Sequence, residues 1–384
     1  MVVVYYVNTY YLDAAIELLQ AIIKDVDLHV IIEISPESSI TNIIEVDYLS
    51  GYSNIEDPEK LLGAKKWEEL SVYFKGVASI QFAVFRHKKS ISFASFLTIL
   101  SVGKLIHKIK PDLIHFDSIT PRILGLFPYF LNKKTYVTVH DPLPHSGEGS
   151  WKIKLTEYLY FRIAKGLCFY SEFAKQQFNA SYSKFTTKQY IIYFQPFTFL
   201  KKFNYPSKDS GNTILFFGRI VFYKGVDLLL NAIPKVISKF PNEIFVIAGK
   251  IDDEILDPNI INAYPSNIQV LLHHISTADL AKLIVSAKFV VCPYRDATQS
   301  GVLMTANALG KAVIATNVGA FPEYIVNDFN GLLSFPDSDS IADAIINALN
   351  QQKYVDLEKN VQSERCAQLL YKNNKVLMSA YSQL

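Results

Sequence analysis

Short β-rich runs alternate with longer helical patterns along almost the whole chain, and no other feature narrows the fold as much. Residues 2–7, 29–34, 113–116 and 136–140 read as strands, with a helical pattern at 14–24 between the first two. Such alternation predicts parallel sheets covered by helices on both faces. The rhythm restarts at 213–217 and passes through helix 226–240 to strand 243–248. It continues with strand 268–272, helix 278–287, strand 289–293, helix 302–309 and strand 312–316. A second α/β unit therefore begins near residue 213. The 384 residues, half of them apolar, supply enough material for two cores. No period of 20 to 50 residues recurs, so a solenoid is excluded.

Residues 201–212 are rich in Lys, Pro, Ser, Gly and Asn and read as a surface linker. The expected organisation is a first domain over 1–200, a second over 213–363, and a last helix within 364–384.

Lys and Arg number 38 against 36 Asp and Glu, a net charge of +2. With no recognition motif or aromatic platform beside it, this balance argues against a nucleic-acid partner. The longest apolar stretches, such as 93–102, break well short of the roughly 20 residues of a spanning helix. The N-terminus has no cationic leader and reads as the first strand, so the cytoplasm is the expected compartment. Cys168, Cys292 and Cys366 lie far apart, which suits packing roles in a reducing compartment rather than a disulfide or zinc framework.

One local imbalance stands out. Residues 75–110 hold seven basic side chains and no acidic one, interleaved with Phe82, Phe85, Phe93, Phe96, Leu97 and Leu100. Such a stretch suits peripheral contact with the anionic inner face of a membrane, or else forms a solvated basic face over a core helix.

The most specific segment runs from Phe216 to Asp227. A buried strand ends at Gly218, and the following loop presents Arg219 and Lys224 at the carboxyl edge of the sheet, where open α/β folds bind ligands. A planar guanidinium and a point-charge ammonium suit a diphosphate. In Pro293 to Val302 another strand runs through Thr298, Gln299, Ser300 and Gly301 into a helix, placing backbone amides where a phosphate can sit. Glu323 reads as a first-turn acid of a later helix. His274 follows a strand and is a candidate lining residue of the second domain. In the first half, His140, Asp141, His145 and Glu148 gather in a proline-rich loop after a strand. Their spacing matches no zinc pattern, and no metal site is expected. Asp112, His115 and Asp117 flank the neighbouring strand.

Together these segments resemble the retaining glycosyltransferases of family 4, the group 1 glycosyltransferases. That family has the GT-B fold, two facing Rossmann-like domains with a cleft between them and a C-terminal helix crossing back. Gly218-Arg219 with Lys224-Gly225 resembles its diphosphate signature. Gly310-Lys311, Val313 to Thr316, Gly319, Glu323 and Asn330 to Leu333 resemble the end of its donor domain. Pro111 to His115, the strand ending at His140, and Ser171-Glu172 take family-like positions in the first domain. The resemblance implies that His140 lies beneath the donor sugar, that Arg219 and Lys224 hold the diphosphate, and that the 298–301 amides complete the cradle. It also implies retention of anomeric configuration, no cofactor, and a last helix packed back on the first domain.

Two departures matter. Most family members carry two glutamates separated by seven residues; counting back from Gly310-Lys311, these fall on Thr305 and near Ala297 or Thr298, so both carboxylates are missing. The ribose contact must then come from a hydroxyl, such as that of Thr305, or from another residue, and the sugar contact from Gln299, Ser300 or backbone. In place of the family's glycine-rich N-terminal loop stands Asn8-Thr9-Tyr10. The expected function is transfer of a sugar from a nucleoside-diphosphate sugar, UDP favoured over GDP, to a glycan or lipid-linked glycan in bacterial surface polysaccharide synthesis. Asp141, His145 and Glu148 are the acceptor-side candidates. The rivals are a non-catalytic nucleotide-sugar-binding partner, which the missing glutamates suggest, and a sugar-nucleotide epimerase of the same fold.

Overall fold

A computed structural model describes residues 1–41, 43–130, 133–143, 151–203, 211, 213–253, 255–370 and 374–383. The chain divides into two compact units, Met1–Tyr193 with Asn373–Leu384, and Phe194–Lys372.

The first unit is built on β1 (Val2–Asn8), β2 (Asp27–Ile34), β3 (Ile55–Glu56), β4 (Ser79–Val84), β5 (Leu113–Phe116), β6 (Lys134–Val139), β7 (Gly166–Phe169) and β8 (Lys188–Ile191). Their order is β3-β4-β2-β1-β5-β6-β7-β8. All pairs are parallel except β3 with β4. Val3 to Val7 are fully buried. That continuous apolar run belongs to a central strand covered on both faces. Strand order reverses between β1 and β5, so ligands are expected outside their carboxyl ends, where Asn8 N donates to Ser118 Oγ at 3.1 Å.

The second unit holds β9 (Thr213–Phe217), β10 (Ile244–Ala248), β11 (Ile268–Leu271), β12 (Ala287–Cys292), β13 (Val313–Thr316) and β14 (Gly331–Ser334). They form one parallel sheet in the order β11-β10-β9-β12-β13-β14, whose switch point lies between β9 and β12. Each strand expected in this half appears within two residues of its expected bounds.

The unit boundary departs from the polar stretch 201–212. It falls at Tyr193/Phe194 because Phe194, Phe197 and Leu200 are already buried in the second unit. There Tyr324 Oη accepts from Phe194 N at 2.8 Å, and Phe197 packs against Gly301. Of the expected linker, only 201–203 and 211 are among the described residues. The C-terminal helical stretch is two helices, Glu364–Leu370 and Asn374–Ser382, and the former stays with the second unit, with Cys366 against Asn330. The latter joins the first unit. Tyr381 Oη meets His115 Nδ1 at 2.5 Å, and Tyr136 Oη donates to Ala380 O at 2.5 Å. Fully buried, His115 is thus a structural residue rather than a site one, its pKa pushed down by burial to about 4.

Candidate functional site

At the end of β9, Gly218 takes φ +118, a conformation that side-chain-bearing residues rarely adopt. A Cβ there would lie 2.8 Å from Lys224 Nζ and 3.4 Å from Val302 Cγ2. The ammonium therefore occupies the space a side chain would fill, and the start of the helix Gly301–Ala308 adjoins the same point. Gly249, after β10, comes equally close: a Cβ on it would strike Gly218 O at 1.8 Å. Two glycines thus let neighbouring strand ends and a lysine converge, and sequence reasoning had singled out only the first.

Lys224 closes a 3₁₀ turn, Phe222–Lys224, before Gly225 reverses the chain at φ +64 into the helix Val226–Lys239. Its ammonium faces the Tyr294 ring at 5.3 Å from the centroid. Burial, reinforced by the Arg219 charge and partly countered by Cys292, pulls its pKa down to about 8. A cation held at such cost is poised for an anion that stabilises its charged form. Arg219 Nη2 approaches Tyr223 Oη at 3.5 Å, so both predicted cations flank this turn.

The turn is braced by a residue that sequence reasoning passed over. Arg295 binds Asp227 through both guanidinium ends, at 2.8 and 2.6 Å, donates from Nη1 to Phe222 O at 2.9 Å, and stacks 4.2 Å from the Phe222 ring centroid. Its own N–H donates to Tyr223 O at 2.7 Å. The signal, an Arg just past β12 and an Asp in the first turn of a helix, is too common to stand out in sequence.

Ser300 caps the helix Gly301–Ala308, its Oγ accepting from Leu303 N at 3.2 Å. The Gly301 and Val302 amides, at the first two helical positions, have no intrahelical acceptor. Thr298 and Thr305 are buried, Gln299 is half-buried and Gly301 exposed. Thr305 occupies the expected glutamate position with a hydroxyl. His274 is exposed beyond β11, the edge strand two places from β9, apart from this cluster.

In the first unit His140 ends the run after β6. Its Nε2 lies 2.6 Å from the Asp117 carbonyl oxygen, so that nitrogen carries the hydrogen. Tyr11 stacks on the ring at 3.8 Å between centroids. The Asp117 carboxylate, fully buried, lies 3.5 Å from His140 Nε2 and accepts from Tyr170 Oη at 3.3 Å. Burial alone would raise its pKa, but the facing His140 and its hydrogen bond outweigh this and hold it low. Asp141 is half-buried beside them, whereas His145 and Glu148 lie outside the described residues.

Residues 211–351 match the family model described as Glycosyl transferases group 1. That segment is therefore similar to the group 1 glycosyl transferases. An uncharacterized glycosyltransferase of Methanocaldococcus jannaschii is 33% identical over 137 residues, 35% of each chain. The phosphatidyl-myo-inositol mannosyltransferase of Mycolicibacterium smegmatis is 30% identical over 147 residues, 38% of each. The chain thus spans less than half the length of the curated relatives it matches. Anabaena HepE, solved in complex with UDP, superposes over 100% of both chains with a TM-score of 0.69 at 15% identity. The architecture of the two units is that of the GT-B fold.

Proposed function

We propose that this protein is a retaining glycosyltransferase that moves a sugar from a nucleoside-diphosphate sugar to a glycan or lipid-linked glycan in surface polysaccharide synthesis. The observation that carries the reading is the seat of Lys224 Nζ over Gly218, beside the start of the helix Gly301–Ala308. In this reading the bond from the anomeric carbon to the diphosphate oxygen breaks as positive charge develops on the sugar. Arg219, Lys224 and the Gly301 and Val302 amides take up the charge of the departing diphosphate without a metal or cofactor. The acceptor oxygen forms the new bond on the same face, and its proton passes to the leaving phosphate. His140, fixed by Asp117 and Tyr11, is the first unit's contribution to sugar binding, and Asp141 to acceptor binding. Thr305 meets the ribose. UDP is favoured as carrier, which the UDP bound in the Anabaena structure supports.

The absence of both family glutamates favours a second reading, a non-catalytic nucleotide-sugar-binding protein. Calorimetric titration with UDP, GDP, ADP and their sugar conjugates in EDTA, followed by transfer and donor-hydrolysis assays, separates the two. Binding lost in an Arg219→Ala/Lys224→Ala variant, together with turnover, supports the transferase. Binding without transfer or hydrolysis supports the second reading, and interconversion of the free nucleotide sugar without acceptor would reveal an epimerase. Absence of binding removes the donor site.

A further inference from the structure

In the first unit the helices Phe93–Ile109 and Trp151–Ile163 pack on the same 3₁₀ turn, Pro121–Leu126, and share one core cluster through Ile99, Val102, Ile123, Tyr160 and Phe161. They belong to one helical layer on one face of the sheet. Each helix connects parallel strands, β4 to β5 and β6 to β7, so each runs antiparallel to them. Both N-terminal halves therefore lie towards the carboxyl edge of the sheet.

Those halves expose large apolar side chains. On the first helix Phe93 is 77% exposed and Phe96 50%, with Leu97 and the preceding Ile91 also exposed. Lys104, His107 and Lys108 continue the same exposed face at helical spacing. On the second helix Trp151 is 69% exposed, and Leu155 and Tyr158 follow at the i+4 and i+7 positions, with Arg162 ending the stripe. Lys152, Lys154 and Lys165 accompany it, while the one acid of that helix, Glu157, accepts from Tyr182 Oη at 3.2 Å. Tyr129, on the short helix Phe127–Phe130, is exposed against Gly103 of the first helix.

A solvated basic face would not hold its aromatic residues outward. Exposed Trp, Tyr and Phe with basic residues and little acid are the composition of an interfacial membrane surface. No helix among the described residues is long and apolar enough to cross a membrane. We infer that the outer faces of the helices Phe93–Ile109 and Trp151–Ile163 form one surface that lies on an anionic lipid bilayer, with the carboxyl edge of the first sheet next to the headgroups. The cations meet anionic headgroups, and Phe93, Phe96, Leu97, Trp151 and Leu155 enter the boundary of the acyl region. This adds the second helix to the basic 75–110 stretch and needs no nucleotide, so it stands or falls apart from the donor reading.

The experiment uses the full chain, without nucleotide, and vesicles of phosphatidylcholine with or without phosphatidylglycerol. The chain holds two tryptophans, Trp67 and Trp151. In a Trp67→Phe variant, Trp151 emission is expected to be quenched by acyl-brominated vesicles containing phosphatidylglycerol. Flotation should fall by about tenfold or more at high salt, because the cations act through screened charge. It should fall likewise in Phe93→Ser/Phe96→Ser and in Trp151→Ser/Leu155→Ser variants whose melting temperatures match the parent. Failure to bind anionic vesicles at low salt overturns the inference. So does binding with Trp151 unquenched and both variants unaffected, and so does a concentration-dependent dimer, lost in the same variants, in place of vesicle binding.

Discussion

Lys224 Nζ stands where a side chain on Gly218 would have to go, 2.8 Å from the position of its missing Cβ. The two residues are one device: the glycine makes room, and the turn that follows swings the lysine back into that room. Gly218→Ala should therefore displace the ammonium and strain the backbone at φ +118. We expect a stability loss of about 1 kcal/mol and a diphosphate affinity lowered by about tenfold or more, equivalent to about 1.4 kcal/mol. Calorimetry with UDP and thermal melts read the two effects separately, and unaltered affinity would remove the device.

The depressed lysine makes a prediction about pH. Between about 8 and its ordinary value of 10.5 the folded protein has shed a proton that the unfolded chain keeps. The unfolded state then binds more protons, so this group adds stability as pH rises through that window, and below pH 8 its half-buried charge works against the fold. Lys224→Met should raise the melting temperature at pH 7, flatten the alkaline part of the stability curve, and lose diphosphate binding. In the parent protein, nucleotide affinity should weaken above pH 8 as the ammonium discharges. A variant less stable than the parent at pH 7 would contradict the burial argument.

Arg295 holds the turn through Asp227, Phe222 O and the Phe222 ring. The pair is partly exposed, so Arg295→Ala should cost only about 1 kcal/mol of stability. Its larger effect should be on nucleotide affinity, because the residues it releases carry Arg219 and Lys224. Hydrogen exchange of the 219–225 amides should rise in the variant. Equal affinity with unchanged exchange would make the brace purely ornamental to the site.

His115 and Tyr381 tie the C-terminal helix into the first unit. Because burial holds the imidazole at about 4, its contribution is fully present above the ordinary value of 6.5 and is lost as pH falls from there towards 4. Tyr381→Phe should cost about 1 kcal/mol or somewhat more, since it leaves a buried ring nitrogen without its partner. The exchange protection of 375–382 should drop with it. A denaturation midpoint flat from pH 6.5 to 4, after allowing for carboxylates, would argue against the assignment.

Much of this protein is local and so was legible in the sequence. The alternation of apolar strands with amphipathic helices sets two parallel sheets because each element carries its own period. Gly218, Arg219, Lys224 and Ser300 stood out because strand ends, turns and caps are written in neighbouring residues. What tertiary structure alone decided is non-local. The brace from Arg295 to Asp227 spans 68 residues, the contact of His115 with Tyr381 spans 266, and Gly249 earns its place only through the carbonyl of Gly218. The unit boundary moved from a polar stretch to Phe194 because burial, not polarity, decides which core an aromatic residue joins. Exposure is likewise a property of packing: the sequence displays the phenylalanines and lysines of 75–110, but only the packed layer turns Phe93 and Trp151 outward.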